Sequence, residues 1–265
     1  MSVELSHHDT VHGSPILILH GLFGSRRNWG AIAKQLSTQH RVISVDLRNH
    51  GLSPWIDGMA YCDMAQDVAA LIERLELGPC TMIGHSMGGK TAMMLALSRP
   101  ELIRRLVVVD IAPVERETGF STYIDAMAEV PLCACESRSD VEEHLIDAVP
   151  DKMVRTFLTQ NLMRDDQGFR WRINLSALSD GMDEIADFIE PTPCPSFQGP
   201  TLFIAGATSD YIQPHHMADI TRLFPKANVT HIEGAGHWLH AEAPEAFLKE
   251  VTAFLNQIIK KNNPP

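Results

Sequence analysis

The sequence predicts an α/β protein, with a mostly parallel central sheet, helices on both faces and a helical lid inserted into it. Three observations carry this. Short β-branched runs alternate with amphipathic segments. The runs are apolar at nearly every position, as in strands covered on both sides. The stretch 111–199 then breaks the alternation. Ile16-Leu17-Ile18-Leu19-His20 lies between Pro15 and Gly21 and reads as the first buried strand. Trp29, Ile32, Ala33 and Leu36 keep the spacing of one helix face. Strand 41–46 follows, then a helix striped by Val68, Leu71, Ile72 and Leu75, with Gly78 as its stop. Cys80 to Ile83 is a strand, and Met87 to Ser98 a helix closed off by Pro100. Strands 106–110, 202–205 and 229–232 complete the sheet. Phe247, Val251, Phe254, Leu255 and Ile258 stripe a C-terminal helix, where Lys260 and Lys261 suit the negative dipole end.

The core is expected at 1–110 and 200–265, with 111–199 as the lid. Val141 to Val149 and Met153 to Leu162 read as helices there, and no strand run is evident. Pro191-Thr192-Pro193-Cys194-Pro195 is a stiff connector back to the core. Open α/β sheets bind ligands beyond the carboxyl ends of their strands, so a lid there would cover the site.

Composition narrows the function. The 265 residues carry 22 Lys and Arg against 33 Asp and Glu, a formal charge of −11, with 45% hydrophobic residues. That is a globular chain with room for a sizeable core, and its acidity argues against nucleic acid as a partner. No apolar run approaches the roughly 20 residues that span a bilayer, so no membrane association is expected. The first residues lack the basic flank and apolar stretch of a secretory signal. Cysteines 62, 80, 133, 135 and 194 are odd in number and scattered, which fits a reducing, cytoplasmic location. Cys133-Ala134-Cys135 is too tightly spaced for the usual zinc pair, and no metal is expected. No G-x-G-x-x-G or P-loop implies a cofactor.

Gly84-His85-Ser86-Met87-Gly88 is a G-x-S-x-G run between a predicted strand and a predicted helix, the setting of a nucleophile elbow. Side chains at 84 and 88 would crowd the tight turn. The helix behind Ser86 offers unpaired N–H groups. An oxyanion hole needs two such donors. Met87 N–H is one; the loop His20-Gly21-Leu22-Phe23-Gly24 supplies the other, from Leu22 with Phe23 as runner-up. A serine hydroxyl also needs a base. Among 13 histidines, His237 stands out, in the Gly234-Ala235-Gly236-His237-Trp238 loop after the last strand. His20 and His85 read as structural. His7, His8, His144, His215 and His216 read as solvated or capping residues. The order Ser…Asp…His is met by both Asp110 and Asp210, each after a strand. Asp46 precedes Ser86 and reads as a loop anchor.

These motifs resemble the α/β-hydrolase superfamily over nearly the whole chain. Arg48-Asn49-His50-Gly51 and Asp110-Ile111-Ala112-Pro113 are more particular, and are similar to those of bacterial YbfF-type esterases and mammalian ABHD-type proteins. The resemblance implies an α/β-hydrolase fold and a Ser-His-Asp triad. It implies Asp110 as the acid, with Asp210 near the commoner superfamily position. It also implies small acyl esters, and sometimes acyl thioesters, as substrates.

The expected activity is that of a serine carboxylesterase working through an acyl-enzyme. Phe23, Trp171 and Trp238, with Met127 and Met163, are candidates to line its acyl pocket. Perhydrolysis or carbon–carbon bond hydrolysis on the same triad is the alternative chemistry. A hydrolase-fold binding protein with little turnover is the alternative class, and an intact Ser86 and His237 argue against it.

Overall fold

The computed structural model describes residues 2–116, 119–166, 168–193 and 195–257. From the N-terminus, β1 (His7–Asp9) and β2 (Ser14–Leu19) precede α1 (Gly30–Leu36), and β3 (His40–Val45) precedes α2 (Tyr61–Arg74). β4 (Cys80–His85) runs into α3 (Met87–Ser98), followed by β5 (Ile103–Val109). Then come helices α4 (Ser121–Glu129), α5 (Arg138–His144) and α6 (Lys152–Thr159), strands β6 (Leu162–Asp165) and β7 (Gly168–Trp171), and helices α7 (Leu175–Asp180) and α8 (Met182–Ala186). β8 (Thr201–Gly206), α9 (Met217–Leu223), β9 (Ala227–Ile232), α10 (Leu239–Glu242) and α11 (Pro244–Leu255) follow.

The seven-stranded sheet has the order β1-β3-β2-β4-β5-β8-β9 and is parallel except for β1, which runs antiparallel to β3. The six strands expected from their apolar runs are all present. β1 was missed because three polar residues at a sheet edge carry no periodic signal; His7 and His8, read as solvated or capping, belong to it. The absence of strands from 111–199 is also corrected: β6 and β7 pair there as an antiparallel hairpin. Its residues mix apolar and charged side chains, and the helix before it stops at Thr159. Cys194, Ile258, Lys260 and Lys261 lie outside the described residues.

Period-two alternation sends neighbouring strand residues to opposite faces. Ile16, Ile18, Val107 and Val109 pack with Trp29, Phe247, Val251 and Phe254, under α1 and α11. Leu17, Leu19, Leu106 and Val108 pack with Val68, Leu71, Met93 and Leu97, under α2 and α3. Each fully buried Leu, Ile or Phe contributes about 1.5–3 kcal/mol. The register aligns Leu19 with Gly84 and Gly84 with Val108, so the loops after β2, β4 and β5 emerge along one edge. Among the described residues, no helix is long and apolar enough to cross a membrane.

Four histidines are buried behind that edge. His20 donates from Nδ1 to the Gly21 carbonyl (2.8 Å) and accepts the Leu47 N–H at Nε2 (3.0 Å). His50 donates from Nδ1 to the Arg48 carbonyl (2.8 Å), and no group meets its Nε2. His240 stacks flat on Trp29, with centroids 4.2 Å apart. Burial pushes His20 down to about 4, His50 and His240 to about 3, and His85 well below the ordinary histidine range. All four therefore stay neutral in the folded chain while the unfolded chain takes up protons below about pH 6.5. Their contribution to stability is complete above that pH and declines as the pH falls towards 4. The urea midpoint should drop steeply between pH 7 and 5. His240→Phe, which keeps the stack, should shrink that drop; an unchanged pH slope in the variant would exclude His240 as a contributor.

Candidate active site

Ser86 sits between β4 and α3 at φ 51°, ψ −119°. Its N–H donates to the Val109 carbonyl (3.0 Å) and its carbonyl accepts the Lys90 N–H (3.0 Å), so the turn is held from the sheet and from the helix. A Cβ on Gly84 would run into the Gly88 carbonyl, and one on Gly88 would lie 2.5 Å from the His20 carbonyl oxygen. The glycines of the elbow are thus required by backbone close approach. Phe23 (φ 60°) and Asp110 (φ 51°) also lie in the left-handed region. Such backbone costs on the order of 1–3 kcal/mol per residue and persists only where neighbours fix it.

Asp110 follows β5 and is fully buried. Its carboxylate accepts three hydrogen bonds: from Gly206 N–H (2.9 Å), Ser209 Oγ–H (2.5 Å) and His237 Nδ1–H (2.8 Å). A carboxylate can only accept from Nδ1, so His237 carries a proton there. His85 donates from Nε2 to the His237 carbonyl (2.8 Å) and pins the loop from below. Tyr211 stacks on the His237 imidazole, centroids 3.8 Å apart and 17° from parallel. The Arg116 guanidinium covers the Tyr211 ring at 4.0 Å.

Asp210 is not at His237. It is largely exposed and pairs with Arg116 (2.8 Å), whose guanidinium holds the Asp210 carboxyl below the usual carboxylate range. Asp46 accepts from Arg26 N–H and Leu52 N–H and anchors its loop.

Ser86 and His237 line one narrow cavity with Leu22, Phe23, Phe157 and Trp238. A second, equally narrow, also reaches Ser86 and is bounded by Met87, Lys90, Arg116 and Tyr211. Leu22 and Phe120 border both. Phe23 and Trp238 border the first of these cavities. Trp171 does not line either cavity: it is buried with its indole N–H on the Met127 carbonyl (2.9 Å), which corrects the expectation that it meets substrate. Met127 and Met163 line neither as well.

Sequence reasoning missed Ser209, Tyr211, Arg116 and Lys90. Lys90 is buried beside the elbow, donates to the Ala186 (2.7 Å) and Asp187 (2.9 Å) carbonyls, and is pushed down to about 8 by that burial. Its position in α3 after Gly89 was the one available signal. The loop residues carried none, because they meet His237 or Asp110 only through the sheet order. Among the described residues, no cluster of His, Cys, Asp or Glu could hold a metal.

The model of the "Alpha/beta hydrolase family" matches residues 16–250. The chain is 43% identical to the mouse (Mus musculus) protein named sn-1-specific diacylglycerol lipase ABHD11, covering 91% of this chain and 80% of that one. It is 36% identical to Esterase YbfF of Escherichia coli (strain K12), covering 92% and 94%. A solved structure titled "Marine microorganism esterase" superposes with a TM-score of 0.92 at 35% identity, covering 96% of this chain and all of that one. With its strained serine turn, parallel sheet and matched length, this chain belongs to the alpha/beta hydrolase family and is an enzyme of its esterase and lipase type.

Proposed function

We propose that the protein is a serine carboxylesterase acting on small acyl esters, and on acyl thioesters, through an acyl-enzyme on Ser86. The observation that carries this is the 2.8 Å bond from His237 Nδ1 to the buried Asp110 carboxylate, beside a cavity that His237 shares with Ser86. That bond leaves Nε2 free to take the Ser86 hydroxyl proton as Oγ attacks the acyl carbonyl. The carbonyl oxygen gains the negative charge, and the N–H groups of Leu22 and Met87 stabilise it. Collapse breaks the bond to the alcohol or thiol, which leaves with the proton from Nε2. Water then attacks the acyl-enzyme, gives its proton to the same nitrogen, and the acid departs as the proton returns to Ser86.

The segment 111–199 acts here as a lid, since Phe120, Tyr123, Phe157 and Leu158 border the cavity. The four described cysteines are free, which suits the reducing, cytoplasmic location we assign. The partner is a small molecule, with no membrane or nucleic acid in the reading.

Hydrolysis of p-nitrophenyl acetate and butyrate should be readily measured, and Ser86→Ala should lower kcat by several orders of magnitude while leaving the fold intact. A fluorophosphonate should label Ser86; labelling elsewhere, or normal turnover by the variant, would overturn the mechanism.

Because the base must be neutral, kcat/KM should fall as acid protonates His237, and His237→Ala should lose that limb together with the activity. A variant retaining rate and profile would exclude His237.

The two aspartates should separate cleanly. Asp110→Asn misdirects the Nδ1 hydrogen bond and should cost about 10⁴ in kcat. Asp210→Asn loses only an exposed pair with Arg116 and should keep at least about a tenth of the rate, a loss under roughly 1.4 kcal/mol. The reverse pattern would assign the acid to Asp210.

A further inference from the structure

The loop expected to supply the second oxyanion donor is tied to the segment 111–199 by one buried side chain. Phe23 lies at φ 60°, one residue after Leu22, and Gly24 N–H closes the turn on the Gly21 carbonyl (2.9 Å). The Phe23 carbonyl in this turn accepts a hydrogen bond from the Asn161 side-chain amide at 2.7 Å. Asn161 is 3% exposed. Its second amide hydrogen reaches the Leu158 carbonyl (3.2 Å), and carbonyls only accept, so the amide nitrogen must face both. The residue itself is rigid. It lies between α6 and β6, with its own N–H on Leu158 (3.0 Å) and its carbonyl accepting Arg172 N–H (2.7 Å).

We propose that Asn161 is a positioning residue that sets the Leu22 N–H in the oxyanion hole and makes its geometry depend on how the lid is seated. The inference rests on the esterase reading above. A buried carbonyl left without a donor is costly, and a four-residue turn relieves that cost by rotating its peptide planes. The Gly21–Leu22 peptide belongs to the same turn, so the rotation carries the Leu22 N–H off its target. A lid lifted from the core withdraws Asn161 and has the same effect. Turnover is then confined to the closed form. The Asn174 amide also joins lid to core, donating to Asn49 Oδ1 (3.0 Å), but it does not touch the turn and serves as the comparison.

The experiment compares Asn161→Asp, Asn161→Ala and Asn174→Ala with wild type on p-nitrophenyl butyrate. Inhibition by an aryl trifluoromethyl ketone, whose adduct places an oxyanion in the hole, is measured alongside. Both Asn161 variants should lose about 10- to 100-fold in kcat with KM within threefold, less than the roughly 10²–10³-fold of deleting a donor outright. Affinity for the ketone should weaken by the same factor, and Asn174→Ala should stay within twofold in both. Where the Asp variant does not fold, the Ala variant carries the test. Wild-type kcat in Asn161→Ala, or a fall in kcat without loss of ketone affinity, would overturn the positioning role. Ser86→Ala separates the two proposals. Turnover independent of Ser86 defeats the esterase mechanism itself, whereas Ser86-dependent turnover indifferent to Asn161 defeats only this inference.

Discussion

The hydrogen bond from His237 Nδ1–H to Asp110 is the constraint around which the site is built. It joins residues 127 positions apart, and it can form only because β8 lies between β5 and β9 with all three parallel. Their carboxyl ends then open at one edge, and the loop after β9 can reach back over β8 to Asp110. In a buried, weakly screened setting such a bond fixes both the ring's orientation and its tautomer. The surroundings add to this from every side: Gly206 and Ser209 hold the carboxylate, Tyr211 covers one imidazole face, and His85 secures the loop backbone.

Strain is concentrated where function needs side chains aimed. Among the described residues, six non-glycine residues have positive φ, and three of them, Phe23, Ser86 and Asp110, border this site. Each is held by the sheet or by the segment between β5 and β8 rather than by its own preference. Ser86 hangs on Val109 and Lys90, Asp110 donates its N–H to the Ile204 carbonyl, and Phe23 is held by Asn161. A large two-faced core tolerates a few kcal/mol of such backbone cost, and the site is stiffened by it.

The segment between β5 and β8 is fastened by polar contacts that apolar packing alone would not specify. Arg116 bridges to Asp210 and Tyr211, Lys90 donates to the end of α8, and Asn161 and Asn174 reach the loops after β2 and β3. Apolar surfaces slide with little penalty, whereas a hydrogen bond or ion pair is satisfied at one register only. Two of the residues that make them, Arg116 and Lys90, border the second cavity at Ser86.

What could be read from the sequence is what local physics encodes. Apolar runs in 16–20 and 106–110 declared strands because burial on both faces leaves no polar position. G-x-S-x-G declared the elbow because only glycine tolerates the close backbone at 84 and 88. The edge strand at 7–9 and the hairpin at 162–171 stayed silent, being short and mixed in polarity. Trp171 looked like a pocket residue by its chemistry alone, yet its indole N–H found a partner in the Met127 carbonyl. Asp110 and Asp210 both satisfied the chain order, and the resemblance to a family favoured one. Their separation is a matter of three-dimensional placement: Asp110 lies fully buried beside the imidazole, while Asp210 sits four-fifths of the way along the chain in an exposed turn facing Arg116. Residue type and spacing along the chain determine which segments become strands, helices and turns. Which side chains then meet is decided by strand order and the path of the segment between β5 and β8, because contacts between residues a hundred positions apart leave no trace in local composition.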